Sequence, residues 1–144
     1  MQESFLLIRK FQESDEQSLV SLWNECKLTV PWNIPYKDIK RKLGVQPELF
    51  LVGYVEDKLI AYVMADYDGY RGWINYFAVH PDFQNRGFGK QVMGYVENIL
   101  RELGCPKINL QIREGNKKIL LYYQKLGFVQ EKRICMGKRL EDDR

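Results

Sequence analysis

Three runs of aliphatic, β-branched and aromatic residues follow one another with only turns between them: Leu49–Val55, Leu59–Ala65 and Trp73–Val79. Glu56, Asp57 and Lys58 separate the first two in a hairpin-like connection, and Asp68-Gly69 and Arg71-Gly72 mark the turn into the third. Strands joined this tightly pair antiparallel, because a parallel partner needs a crossover of a dozen or more residues. A meander therefore occupies the middle of the chain, and the other elements must pack on its faces or along its edges.

Helical periodicity supplies those elements. Ser14-Asp-Glu-Gln17 has the form of a capping box, and Leu19, Leu22, Trp23 and Cys26 recur behind it at helical spacing. Pro31-Trp-Asn-Ile-Pro35 interrupts the chain, and Tyr36–Leu43 reads as a short second helix ending near Gly44. Beyond the meander, Gly87–Leu103 is predicted helical with Val92, Val96, Ile99 and Leu103 as its apolar stripe, stopped by Gly104 and Pro106. Lys107–Arg113 alternates as a strand, with Ile108, Leu110 and Ile112 on one face. Asn116–Leu126 reads as another helix, ended by Gly127, and Phe128–Gln130 and Arg133–Gly137 as two closing strands before a charged run at Lys138–Arg144. With Phe5–Arg9 as a first strand, the order is β-α-α-β-β-β-α-β-α-β and a final strand. That is an α/β (mixed α+β) sheet with flanking helices, expected to span 1–144 as one domain, without repeats or linkers.

Composition narrows the chemistry. Hydrophobic residues make up 45% of the chain and charged residues 28%, a folded rather than disordered profile. His80 is the single histidine, which excludes a multi-histidine metal centre and disfavours a histidine-based triad. Cys26, Cys105 and Cys135 form no C-x-x-C pair, so neither a zinc knuckle nor a disulfide framework is expected, and no metal cofactor. The net charge of +3 suits a small anionic ligand but is too weak to indicate nucleic acid. No apolar run approaches bilayer length, and Met1–Ile8 reads as strand rather than signal peptide, so neither a membrane nor an export route is expected and the location should be cytoplasmic.

The stretch that points to a ligand is Val79–Lys90. A strand ends, a polar loop follows, and a helix opens at glycines. Free N–H groups at a helix start, with the helix dipole, favour an anion. Gly87 and Gly89 would let the backbone approach phosphate oxygens, with Arg86 and Lys90 beside them. A Walker loop is excluded because Gln91, not Ser or Thr, follows Lys90 and the upstream glycine is missing. A dinucleotide fingerprint is disfavoured because Val92 stands at the third glycine position and a meander precedes the loop.

Gln84-x-x-Gly87-x-Gly89, following Val79-x-Pro81, resembles the acetyl-CoA loop of the GNAT acetyltransferase superfamily. Asn116-x-x-Ile119-x-x-x-Tyr123-x-x-x-Gly127-Phe128 resembles that family's later N-x-x-A-x-x-x-Y-x-x-x-G-F motif, with Ile119 in place of the small residue. A fuller likeness to the small bacterial YpeA-type members runs through Leu28–Pro35, Tyr67–Gly72, Gly104–Ile108 and Gly137–Leu140. The resemblance implies a mostly antiparallel sheet in which two parallel strands, here Trp73–Val79 and Lys107–Arg113, splay apart to admit the coenzyme's pantetheine arm. It implies backbone pairing at Phe77, Ala78 and Val79, with the Val79 N–H facing the thioester carbonyl. The pyrophosphate would lie on Gln84, Asn85, Arg86, Gly87, Phe88, Gly89 and Lys90, Asn116 would contact the coenzyme, and Tyr123 would be the general acid at the sulfur.

The implied activity is acetyl transfer from acetyl-CoA to a primary amine of a protein or small molecule, by direct attack in a ternary complex. A non-catalytic acyl-CoA sensor is the alternative, since no base is obvious: Asn75 lies where a carboxylate would be convenient, and Asp66, Asp68 and Glu114 are near the proposed cleft. The acceptor site is expected among Trp32–Tyr36, the Tyr67–Arg71 turn and a C-terminal hairpin. His80 is expected to be structural, and a homodimer is compatible with the sequence.

Overall fold

The computed structural model describes residues 5–27 and 34–143. Five strands form one sheet in sequence order: β1 (Leu6–Lys10), β2 (Phe50–Val55), β3 (Lys58–Tyr67), β4 (Gly72–Val79) and β5 (Ile108–Leu110). The first four pair antiparallel and β4 pairs with β5 in parallel. The expected meander is β2-β3-β4.

Helices cover both faces. α1 (Glu16–Glu25) and α2 (Pro35–Leu43) lie on one, where Leu19, Leu22, Trp23 and Ile39 pack with Phe50, Val52, Tyr62 and Met64. α3 (Phe88–Glu102) lies on the other, where Val92, Met93, Val96 and Leu100 pack with Leu51, Ile60 and Val63. Each such aliphatic side chain, fully buried, contributes about 1.5–3 kcal/mol before the entropy of ordering it. The α3 seam is rotated from the predicted stripe: Ile99 is only partly buried and Leu103 is exposed, while Met93 and Leu100 are in the core. A fourth helix, α4 (Lys117–Lys125), follows β5.

Three other expectations are corrected. The Ser14–Gln17 capping box is replaced by a short 3-10 turn, Glu13–Asp15. Buried Asp15 accepts the Gln12 N–H, both guanidinium nitrogens of Arg9 at 2.8 Å and the Tyr54 hydroxyl at 2.5 Å. A carboxylate with this many donors outcompetes a serine hydroxyl as the local acceptor. The strand predicted at Lys107–Arg113 shrinks to Ile108–Leu110, because its partner register ends at Ile74. The closing strands at Phe128–Gln130 and Arg133–Gly137 are not formed. With only three residues in β5 there is little edge to extend, and Val129, Ile134 and Met136 are 83%, 92% and 91% exposed.

Those last residues belong to a tail that crosses the molecule. The Asp143 carboxylate, buried, accepts from the Ile34 N–H at 3.0 Å and from both Arg41 guanidinium nitrogens at 2.6 and 3.2 Å. Lys37 Nζ donates to its carbonyl at 3.2 Å. The tail is thereby pinned to the start of α2, where the helix dipole favours a negative charge. The Arg41 guanidinium and the Ile34 N–H hold the Asp143 carboxyl far below the usual carboxylate range.

Candidate active site

The site begins with a fault in β4. Ala65 faces Ile74 but Met64 faces Tyr76, so Asn75 is an extra residue without a partner on β3. Such a bulge shifts the alternation of the strand by one. Ile74 lies with the α3-face cluster, Tyr76 with the α1–α2 cluster, and Phe77 and Val79 again with the α3 face. Without the bulge Tyr76 would follow Ile74 to the same side.

The bulge also decides which backbone groups are free. The His80 N–H donates to Ile60 C=O, so in the antiparallel alternation Ala78 and Tyr76 also face β3. Phe77 and Val79 then face the opposite edge. Pairing with β5 ends at Ile74–Leu110, whereas β4 continues to Val79. Along this open edge the N–H groups of Phe77 and Val79 face a gap in the pairing, beyond the end of β5. Ala78, expected to share the coenzyme contact, is turned away: its backbone pairs with Tyr62 and its side chain is buried on the α1–α2 face.

The chain leaves β4 into the predicted phosphate loop. Gln84 does not reach outward; its amide donates to Val79 C=O at 2.9 Å and clamps the loop to the strand end. The Cys26 thiol, 3.7 Å from the same carbonyl, is pushed up to about 11 by burial, with Glu25 adding to the rise. Asn85 and Gly87 both adopt positive φ, 64° and 83°. The first intrahelical bond of α3 runs from Gln91 to Gly87 C=O, leaving the N–H groups of Phe88, Gly89 and Lys90 without helical acceptors. Arg86 and Lys90 are exposed beside them, Arg86 stacking over Phe83 at 5.2 Å. Phe88 offers its N–H alone, since its side chain is in the core.

The two glycines differ in what they permit. A Cβ on Gly87 would meet nothing within 4 Å, so this position opens outward. A Cβ on Gly89 would stand 2.0 Å from the Tyr122 hydroxyl and 3.4 Å from Phe77, so Gly89 makes room for α4 rather than for an anion.

α4 borders the gap. Tyr122 and Tyr123 both meet the Phe77 ring edge-on, at 6.3 and 6.2 Å, and Tyr123 also packs on Phe128 at 5.5 Å. Burial pushes the Tyr123 hydroxyl up to about 12, with Tyr122 adding, so it is protonated across the neutral range. Asn116 caps α4: its side-chain oxygen accepts the Ile119 N–H at 3.3 Å, which uses the group expected to touch coenzyme. His80, expected to be structural, is buried; its Nδ1 accepts the Asp82 N–H at 3.0 Å and its Nε2 faces the Glu25 carboxylate.

Of the expected acceptor segments, Trp32 and Asn33 lie outside the described residues, and Tyr36 is exposed. The Tyr67–Arg71 turn is organised by Asp68, which accepts the Tyr70 and Arg71 N–H groups at 2.7 and 2.6 Å. The C-terminal hairpin is absent. A groove of about 1140 Å3 occupies its place, lined by β5, the tail, Asn116 and Tyr123, and it does not touch the phosphate loop. Among the described residues no group of three or more metal-ligating side chains is assembled, and no helix is long and apolar enough to cross a membrane.

Comparison with known proteins gives the family. The sequence profile of the acetyltransferase (GNAT) family matches residues 11–128. The chain belongs to that family. It is an acetyltransferase. An acetyltransferase of Yersinia enterocolitica is 45% identical over 133 residues, 92% of this chain and 94% of the relative. One of Pectobacterium atrosepticum is 43% identical over 137 residues, 95% and 97% of the two chains. The fold is shared with aminoglycoside N-acetyltransferase AAC(6')-Iy in complex with CoA, with a TM-score of 0.76 and 19% identity over 96% of this chain and 97% of that one. It is also shared with Ard1 from Thermoplasma volcanium, with a TM-score of 0.73 and 23% identity over 86% and 82%.

Proposed function

We propose that acetyl-CoA lies along the open edge of β4 and that a primary amine attacks its thioester directly in a ternary complex. The observation that carries this reading is the sheet itself: β4 outruns its pairing with β5 by five residues and leads straight into an unsatisfied helix start. A pyrophosphate fits there because the N–H groups of Phe88, Gly89 and Lys90 need acceptors and Arg86 and Lys90 supply charge. Gly87, φ 83°, presents only backbone to it. Asn85 shapes the loop, and Gln84 acts indirectly, through Val79.

Thioester attack places negative charge on the carbonyl oxygen. A fixed N–H at Phe77 or Val79 stabilises that charge more in the transition state than in the ground state. Tyr123 is the proton donor to the leaving sulfur. A phenol held near 12 stays protonated until thiolate charge develops beside it, then hands the proton over. The three free cysteines support a reducing, cytoplasmic setting. The test is amide hydrogen exchange with and without acetyl-CoA. Slowed exchange is expected at Phe77, Val79 and residues 86–90; protection elsewhere with none here would relocate the coenzyme.

A further inference from the structure

Resting on that reading, one proton is still unassigned: the one the acceptor ammonium must lose before it attacks. We propose that Asp38, acting through the Tyr76 hydroxyl, takes that proton.

By shifting the alternation, the bulge at Asn75 puts Tyr76 on the α1–α2 face and Phe77 on the α3 face. Phe77, Tyr123 and α3 lie on one, so the coenzyme's anchors leave the α1–α2 face for the acceptor. On that face, among the described residues, Trp23 Nε1 and the Tyr62 hydroxyl are buried without acceptors, and the half-buried Cys26 thiol lies beside Val79 C=O. None of these is an anion. Tyr76, packed edge-on against Trp23 at 4.7 Å, donates its hydroxyl to Asp38 Oδ2 at 3.1 Å.

Other carboxylates reach β4 less usefully. Asp66 accepts from the Asn75 amide at 2.9 Å, but an amide does not relay a proton. Asp68 is committed to the turn N–H groups and the Trp73 indole. Asp38 alone of the three is joined to β4 through a hydroxyl. The charged and titratable groups around it are Arg41 at 2.9 Å, Asp143 behind Arg41, Tyr62 of β3 and Tyr76 of β4.

The protons balance. The ammonium gives one to the Tyr76 oxygen as the Tyr76 proton passes to Asp38 and on to solvent. The amine lone pair then forms the C–N bond as the carbonyl π electrons move onto oxygen, and collapse of that oxyanion breaks the C–S bond. The second nitrogen proton replaces the one that Tyr123 gives to sulfur.

The test uses two probes, Nα-acetyl-lysinamide with an ε-amine near 10.4 and trialanine with an α-amine at about 7.7–8.0. With the lysine probe at about pH 7.5, Asp38→Asn should slow CoA release about 100-fold, the low end of general-base effects. With trialanine at about pH 9, where that amine is already neutral, the deficit should shrink to within about threefold. Tyr76→Phe should behave the same way, and Asp38→Glu should restore most of the rate. A deficit independent of pH and of the amine, or none at all, overturns the proposal. So does loss of the acetyl-CoA thermal shift in Asp38→Asn, which would make Asp38 structural. If wild type keeps that shift but acetylates neither probe, the primary-amine reading fails and takes this route with it.

Discussion

Gly87 separates backbone strain from ligand binding in one series. Its φ is 83° and an added Cβ would contact nothing within 4 Å, so Gly87→Ala meets strain without a clash. An L-residue in this region costs about 1–2 kcal/mol. For 144 residues the unfolding entropy is about 0.3 kcal/mol/K, so the melting temperature should fall by about 3–7 °C. Saturating acetyl-CoA, at about a hundred times its dissociation constant, adds about 2.7 kcal/mol, or roughly 9 °C. Thermal unfolding of wild type, Gly87→Ala, Gly87→Gln and Gly87→Glu, each with and without acetyl-CoA, resolves the terms. All three variants should share the strain. The coenzyme shift should survive in Ala, shrink in Gln and vanish in Glu, which places a carboxylate at the positive end of α3. An undiminished shift in folded Gly87→Glu would refute the reasoning, since no pyrophosphate could then sit on that helix start.

Tyr123→Phe should lose about 100-fold or more in CoA release while keeping the acetyl-CoA thermal shift, and Tyr122→Phe should keep most of its rate; a reversed pattern would move the proton donor to Tyr122. Asp15→Asn should destabilise by about 1.5–3 kcal/mol in urea unfolding, because the bonds from partly exposed Arg9, Tyr54 and the Gln12 N–H lose their charged acceptor. Burial opposes ionisation of Asp15, but the bonds from Arg9, Tyr54 and Gln12 prevail and hold its carboxyl below the ordinary value. Its contribution is therefore complete above the unfolded carboxyl's value of about 3.9 and lost as pH falls through the lower folded one, so wild type should show an acid-limb stability loss that Asp15→Asn lacks. Asp143→Ala should free the tail from α2, and limited trypsin digestion should then cut after Lys138 and Arg139 faster than in wild type.

The sequence by itself determined the meander, the helix that opens after Arg86 and the pair of motifs. These are local facts: apolar runs between tight turns, glycines at a helix start, a tyrosine at fixed spacing from Asn116. What needed three dimensions was each case where one residue answers to a partner distant in the chain. The Asn75 bulge leaves no periodic signature, yet it decides that Tyr76 takes the α1–α2 face and Phe77 the α3 face. Gly89 reads as a phosphate glycine until Tyr122 is seen against it. Gln84 reads as a ligand residue until its amide is found on Val79. The closing strands were predicted from alternation alone, but a strand exists only where an edge accepts its hydrogen bonds, and β5 offers three residues. Asp38 carries no motif and became visible only because α2 folds it onto Tyr76, 38 positions away. Pattern sets which elements can form; hydrogen-bond partners far along the chain, which no local pattern encodes, decide which of them do and what each side chain there can do.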